Sequence, residues 1–220
     1  MDELLSEKEQ LEAIREWWRE YGWYLLGGVI VGVAILTGVR QYGSYQLNQS
    51  EAAASLYQEL RTAIADDADA EALSLLEQLR SDYSNSAYAD QAGMLIAVMH
   101  LSNQSARLAI DELRYVLDST SDAHLSLVAT GRLARLLVSA GREDEALTVL
   151  DSVEPRSFSA RFSELRGDVY YAQGNVDSAR TAYSEALNGE QADLVDRGLV
   201  QMKLDDLPRA STPVLEDAGG

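Results

Sequence analysis

The sequence predicts an all-α protein, with one apolar anchor helix near the N-terminus followed by stacked helical hairpins. Three observations carry this expectation. Tyr21 to Val39 runs nineteen residues without a charge, between Glu20 and Arg40. Ala, Leu, Glu and Arg are abundant while proline occurs only at 155, 208 and 213, which is helix-forming usage. Small and large apolar residues recur in one pattern at offsets of 33, 37 and 37 residues.

The anchor comes first. Nineteen helical residues span roughly 28 Å, close to the ~30 Å hydrocarbon core of a bilayer. Trp17, Trp18, Tyr21, Trp23 and Tyr24 bracket it on one side and Tyr42 and Tyr45 on the other, where amphipathic rings favour the lipid–water boundary. A buried core helix would carry polar residues on one face, and none lie between Gly22 and Leu36. The run exceeds the usual h-region of a cleaved signal, follows an acidic leader and lacks a small-x-small pair directly after it, so it reads as an uncleaved signal-anchor. Lys8, Arg15 and Arg19 precede it and Arg40 alone follows until Arg61, which places the N-terminus in the cytoplasm and residues 41–220 outside. Residues 1–20, with Leu4, Leu5, Leu11, Ile14, Trp17 and Trp18 among charges, form an acidic amphipathic leader.

Composition narrows the functional classes. The chain carries a net charge of −18; after Arg40 it holds 14 basic against 29 acidic residues, a surface that repels nucleic acid. Without cysteine there is no disulfide framework, thiol nucleophile or thiolate metal site. His100 and His124 lack partners at ligand spacing, and neither belongs to a serine triad or a Gly-x-Ser-x-Gly elbow. Gly27, Gly28 and Gly32 lie inside the apolar helix and cannot cradle a phosphate. Glu143 and Glu145 sit at a helix start, where the dipole explains them. No catalytic residue, metal site or cofactor is expected, and the reading is of a non-enzyme.

The repeat defines the remaining elements. Its clearest unit is Gly167, Tyr170, Gly174, Ala179, Tyr183, Ala186 and Leu187. Gly167 and Ala179 are the small residues where paired helices touch, Tyr170 and Tyr183 the large knobs, and Gly174 the turn. Ala134, Leu137, Gly141, Ala146 and Leu150 take these roles 33 residues earlier. Ala97, His100, Gln104, Ala109 and Leu113 follow the same pattern, as do Leu60, Ala63, Asp67, Ala72 and Leu76. The pattern resembles the tetratricopeptide repeat, and predicts a tetratricopeptide-like solenoid of about four helical hairpins with a C-terminal cap helix. Helix pairs are expected at 47–65 with 69–81, 87–102 with 105–118, 122–139 with 143–151, and 158–173 with 176–188. A cap with a polar outer face is expected near 190–205, and a disordered tail over 207–220.

Two candidate interaction surfaces follow. The inner groove, lined by the first helix of each hairpin, draws on Tyr57, Arg61, Met94, Val98, Leu101, Arg135, Val138, Arg161, Asp168 and Tyr171. Apolar groups among arginines suit an extended polypeptide, unless some of these residues are buried under the cap or a neighbouring hairpin. In the anchor, Gly28 and Gly32 permit close packing with another membrane helix, or reflect the general frequency of Gly in membrane helices.

The chain as a whole resembles the YfgM family, ancillary subunits of the SecYEG translocon in Gram-negative bacteria. The resemblance rests on Glu16-Trp17-Trp18-Arg19-Glu20-Tyr21-Gly22, on the Gly-rich anchor ending Gly38-Val39-Arg40-Gln41-Tyr42, on the degenerate repeats, and on Gln201-Met202-Lys203-Leu204-Asp205-Asp206-Leu207. It implies a single-pass inner-membrane protein with a cytoplasmic leader (1–20), a transmembrane helix (21–39) and a periplasmic repeat domain (40–206). It further implies a place beside the translocon with the membrane-anchored chaperone PpiD, handover of emerging polypeptides to periplasmic chaperones, and a cytoplasmic stress-response regulator at the leader. The alternative is a tetratricopeptide scaffold for envelope assembly or division without translocon contact.

Overall fold

The computed structural model describes residues 7–189 and 191–208. The first six residues of the leader, and the tail from 209 onward, lie outside the described residues. The chain divides into two units, one ending at Ala52 and one beginning at Ala53.

Helix α1 (Glu7–Ala65) contains the apolar run. A separate helix starting near residue 47 was expected; instead α1 continues through that point without a break. The reason is local: the chain has no proline before Pro155, and a lone glycine such as Gly43 costs a helix only about 1 kcal/mol. Around the run, apolar side chains point outward on every side; Trp23 is 80% exposed and Leu36 72%. Thr37 satisfies its hydroxyl internally by donating to the Val33 carbonyl at 2.7 Å. The helix is long and apolar enough to cross a membrane.

The second unit is a tetratricopeptide-like stack. The end of α1 pairs with α2 (Asp69–Asp82), α3 (Ala87–Ser102) with α4 (Ala106–Ser119), α5 (Ala123–Ser139) with α6 (Glu143–Asp151), and α7 (Ser159–Ala172) with α8 (Val176–Asn188). Helix α9 (Arg197–Asp205) follows them. Every hairpin turns at the repeat position expected for it. Asp67, Gln104, Gly141 and Gly174 all have positive φ, from 56° to 76°. In each turn the next residue's N–H reaches back to the carbonyl five residues earlier: Ala68 to Ala63, Ser105 to His100, Arg142 to Leu137 and Asn175 to Tyr170, all at 2.8–2.9 Å. This closure of the helix end requires the left-handed residue, which glycine supplies without steric cost in the two C-terminal hairpins.

Small residues set the helix–helix contact. Ala72, Ala109, Ala146 and Ala179 are fully buried, and four residues on, Leu76, Leu113, Leu150 and Tyr183 fill the space beside them. A Cβ at Gly167 would collide with the Tyr183 ring, so glycine is the residue that lets α7 and α8 meet there. The apolar interior falls into three successive clusters, centred on α1–α3, α3–α7 and α7–α9. Ion pairs tie the second helices of neighbouring hairpins: Arg80 to Glu112, and Arg114 to Glu145 at 2.7 Å.

The cap is shorter than expected. Val195 is extended after a 3-10 turn (Ala192–Leu194), and the Asp196 carboxylate accepts from the Leu199 N–H at 3.0 Å, starting α9 at Arg197. Its outer face is mixed, with Arg197, Gln201 and Asp205 exposed beside two apolar side chains. Val200 and Leu207 take the inward seam, and at about 100° per residue Leu199 and Met202 fall outside it, where they are exposed. Lys203 fixes α9 to α7: its ammonium donates to Glu164 Oε1 at 2.9 Å and to both oxygens of Asp168 at 2.7 and 2.8 Å. Glu164, only 2% exposed, also accepts from Arg161, and the Tyr183 hydroxyl donates to Asp168 at 2.8 Å. Burial disfavours the Lys203 ammonium, but its bonds to Asp168 and Glu164 outweigh that and hold its pKa above the ordinary lysine value. Burial, then the Asp168 bond, pushes the Tyr183 phenol up as well.

Two outcomes test this packing. Ala179→Leu overpacks the α7–α8 contact at a cost of about 1–3 kcal/mol, seen as a lowered midpoint in a helical melt; an unchanged melt would contradict the contact. Both folded-state pKa values above exceed their unfolded ones, so their stabilisation is complete below about pH 10 and is lost as pH rises through and beyond it. Urea midpoints therefore fall on the alkaline side. Lys203→Met costs up to about 3 kcal/mol at neutral pH, the partial exposure of Lys203 limiting the loss. It also flattens the alkaline decline.

Candidate polypeptide-binding groove

Helices α3 and α5 are the first helices of consecutive hairpins, and their facing sides are set by the repeat. Along α3 the spacing of Met94, Val98 and Leu101 puts three apolar side chains on one face. Opposite them, Arg132, Arg135, Leu136 and Ser139 project from α5, with Leu113 of α4 beneath. Together they enclose a cleft of about 410 Å³. Met94 and Leu113 are buried in its floor, whereas Val98 is 47% and Leu101 41% exposed. A second cleft of about 100 Å³ lies between α5 and α7, lined by Ala134, Arg135, Val138, Leu165, Asp168 and Val169. Arg135 lines both, so the two clefts adjoin across α5.

Six of the ten residues expected in the groove line these clefts: Met94, Val98, Leu101, Arg135, Val138 and Asp168. The other four do not. Tyr57 is half-buried against Tyr88, with ring centroids 5.6 Å apart, and belongs to the first core cluster. Arg61 is exposed and donates to Gln58 at 3.2 Å. Arg161 pairs with Glu164 in the ion cluster under α9. Tyr171, 53% exposed, projects from the end of α7 outside both clefts. Asp168 reaches the second cleft but has its charge matched by Lys203, so it acts as part of the α7–α9 fastening.

Sequence reading missed Arg132. It lies three residues before Arg135 on the same face of α5, a spacing visible in the sequence. It also missed the Glu164–Lys203 pair, whose one signal was that Lys203 and Lys8 are the only lysines in the chain. In α1, a Cβ added at Gly28 or Gly32 would meet nothing within 4 Å, so both glycines present an open helix face. Among the described residues no group of three or more His, Cys, Asp or Glu side chains is placed to hold a metal ion. Chemically, the groove offers apolar contact and guanidinium donors.

Comparison with known proteins agrees with the fold. Residues 15–209 match the family model of the tetratricopeptide repeat-like domain. The chain is 30% identical over 204 residues to the ancillary SecYEG translocon subunit of Neisseria gonorrhoeae, covering 92% of this chain and 98% of that one. It is 28% identical over 202 residues to the protein of the same name from Escherichia coli K12, with 92% and 97% covered. The Haemophilus influenzae protein of that name is 28% identical, with 92% and 98% covered. Apolar N-terminal helix, repeat register and end-to-end similarity converge: the chain belongs to the YfgM family of ancillary SecYEG translocon subunits.

Proposed function

We propose that this chain is a non-catalytic, single-pass subunit that works beside the SecYEG translocon and holds polypeptide segments in the groove formed by α3, α5 and α7. The observation that carries the reading is the end-to-end match, span included, to relatives named as ancillary subunits of that channel. An exposed apolar helix supplies the anchor and an apolar cleft supplies a holding surface. In this reading residues 1–20 lie in the cytoplasm, 21–39 cross the inner membrane, and 40–206 form the periplasmic domain. Open faces at Gly28 and Gly32 suit close packing against a channel helix. The groove passes emerging chains to periplasmic chaperones, with the membrane-anchored PpiD as the neighbouring partner, and the leader offers a contact for a cytoplasmic stress-response regulator.

Three measurements check this. A phosphatase fused after Leu207 is expected to be active; a stable but inactive fusion would reverse the topology. A photoreactive residue at Leu25, Val29 or Leu36 is expected to give an adduct with a channel subunit. An inserted, expressed protein that yields none would favour an envelope scaffold instead. Replacing the exposed Val98 and Leu101 by Ser removes apolar contact at about 25 cal/mol per Å², so capture of a translocating chain weakens about tenfold or more while the channel adduct persists. Undiminished capture would remove the groove from the mechanism.

A further inference from the structure

The charges around the α3–α5 cleft carry information that its apolar lining does not. Among the described arginines of the repeat unit, Arg80, Arg107, Arg114, Arg142, Arg161 and Arg166 pair with carboxylates. Arg180 and Arg197 donate to backbone carbonyls, and Arg61 to Gln58. Arg132, Arg135 and Arg156 have no side-chain partner among the described residues, and the first two line the same cleft. In a chain of net charge −18, carboxylates to pair with are abundant. Two adjacent arginines left open at the edge of an apolar hollow are therefore a local exception to the charge pattern.

We infer that the α3–α5 cleft selects extended polypeptide segments in which a large apolar side chain is flanked by Asp or Glu. This rests on the proposed polypeptide-holding role and names the class of segment held. The apolar residue would lie against Val98 and Leu101. The flanking carboxylates would meet Arg132 and Arg135, whose guanidinium forks stay charged and match carboxylate geometry. A purely apolar segment would cover these guanidiniums without replacing their water, and a lysine-flanked one would be repelled. Asp168 does not oppose an acidic ligand, because Lys203 holds both its oxygens within 2.8 Å. A volume of about 410 Å³ lies in the usual range for ligand clefts, roughly 300–1,000 Å³. Continuation past Arg135 into the second cleft favours a chain with repeated side chains over a compact ligand.

The test uses full-length protein in phosphatidylcholine nanodiscs and three fluorescein-labelled peptides sharing a central Leu-Phe flanked by Asp/Glu, by Gln or by Lys. Anisotropy is expected to rank them acidic, neutral, basic, with about tenfold between the acidic and neutral peptides at low salt. The gap should narrow as salt rises toward about 0.5 M. Arg132→Glu with Arg135→Glu, both exposed positions, should invert the order so that the lysine peptide binds best. A ranking unchanged by that double substitution, or a lysine preference in the unaltered protein, overturns the inference while leaving the holding role intact. Absence of binding by all three peptides would overturn the holding role itself. Displacement of the acidic peptide by oleate at lower concentration than by unlabelled peptide would reassign the cleft to a fatty acid.

Discussion

Each hairpin depends on two helices coming close at one small residue. Axes can approach within the usual 8–10 Å only where the intervening side chains are short. Ala72, Ala109, Ala146 and Ala179 meet that condition with no exposed surface, and the larger neighbour four residues on closes the gap. The left-handed turn before each of them follows from the same demand, since the second helix must reverse at once to lie against the first. Successive hairpins then join through α2 on α3, α4 on α5 and α6 on α7. Helix α5 also packs directly on α7, but α3 and α5 make little direct contact, and their facing sides remain apart. The cleft is what the packing scheme leaves over.

Charge serves a different purpose in each part of the repeat unit. Between second helices, exposed or half-exposed pairs such as Arg114 with Glu145 contribute little individually, since solvent screens them. Under α9 the same chemistry acts in a drier place. Glu164 is nearly inaccessible and accepts from both Arg161 and Lys203, so neither cation can leave without exposing a desolvated carboxylate. That gives the last helix one defined seat. Apolar packing alone would not do this, because α9 is only nine residues long and shows Leu199 and Met202 to solvent.

Local pattern revealed most of the fold because tetratricopeptide geometry is written at fixed spacing. Asp67 and Gln104 are poor matches to the glycine of a strong repeat, yet counting back 37 residues at a time finds both, and both adopt the left-handed conformation. Helix ends within the hairpins were readable to a residue or two for the same reason. Where α1 begins relative to its hairpin was not readable, because the repeat register marks where packing starts and no residue there breaks the helix. The lining of the two clefts was legible only in part. Met94, Val98 and Leu101 follow from helical spacing along α3. Asp168 and Arg161 carry the same kind of signal on α7, but their surroundings are set by Lys203, 35 residues or more away, which no local pattern exposes. Tyr57 was likewise assigned to the groove by register and is claimed instead by Tyr88.

The three apolar clusters succeed one another along the chain, from Ala53 to Met99, from Met94 to Val169 and from Ala160 to Leu207. Nearly all the partners of a given helix lie within one or two helices of it in the chain, before or after. Low contact order of this kind favours rapid folding, and in repeat proteins structure spreads from one unit to its neighbour. A domain so arranged can fold from its first hairpin onward, in the order in which the chain is made. Each hairpin finds its support already in place, and only the final Lys203 fastening waits for the last helix to arrive.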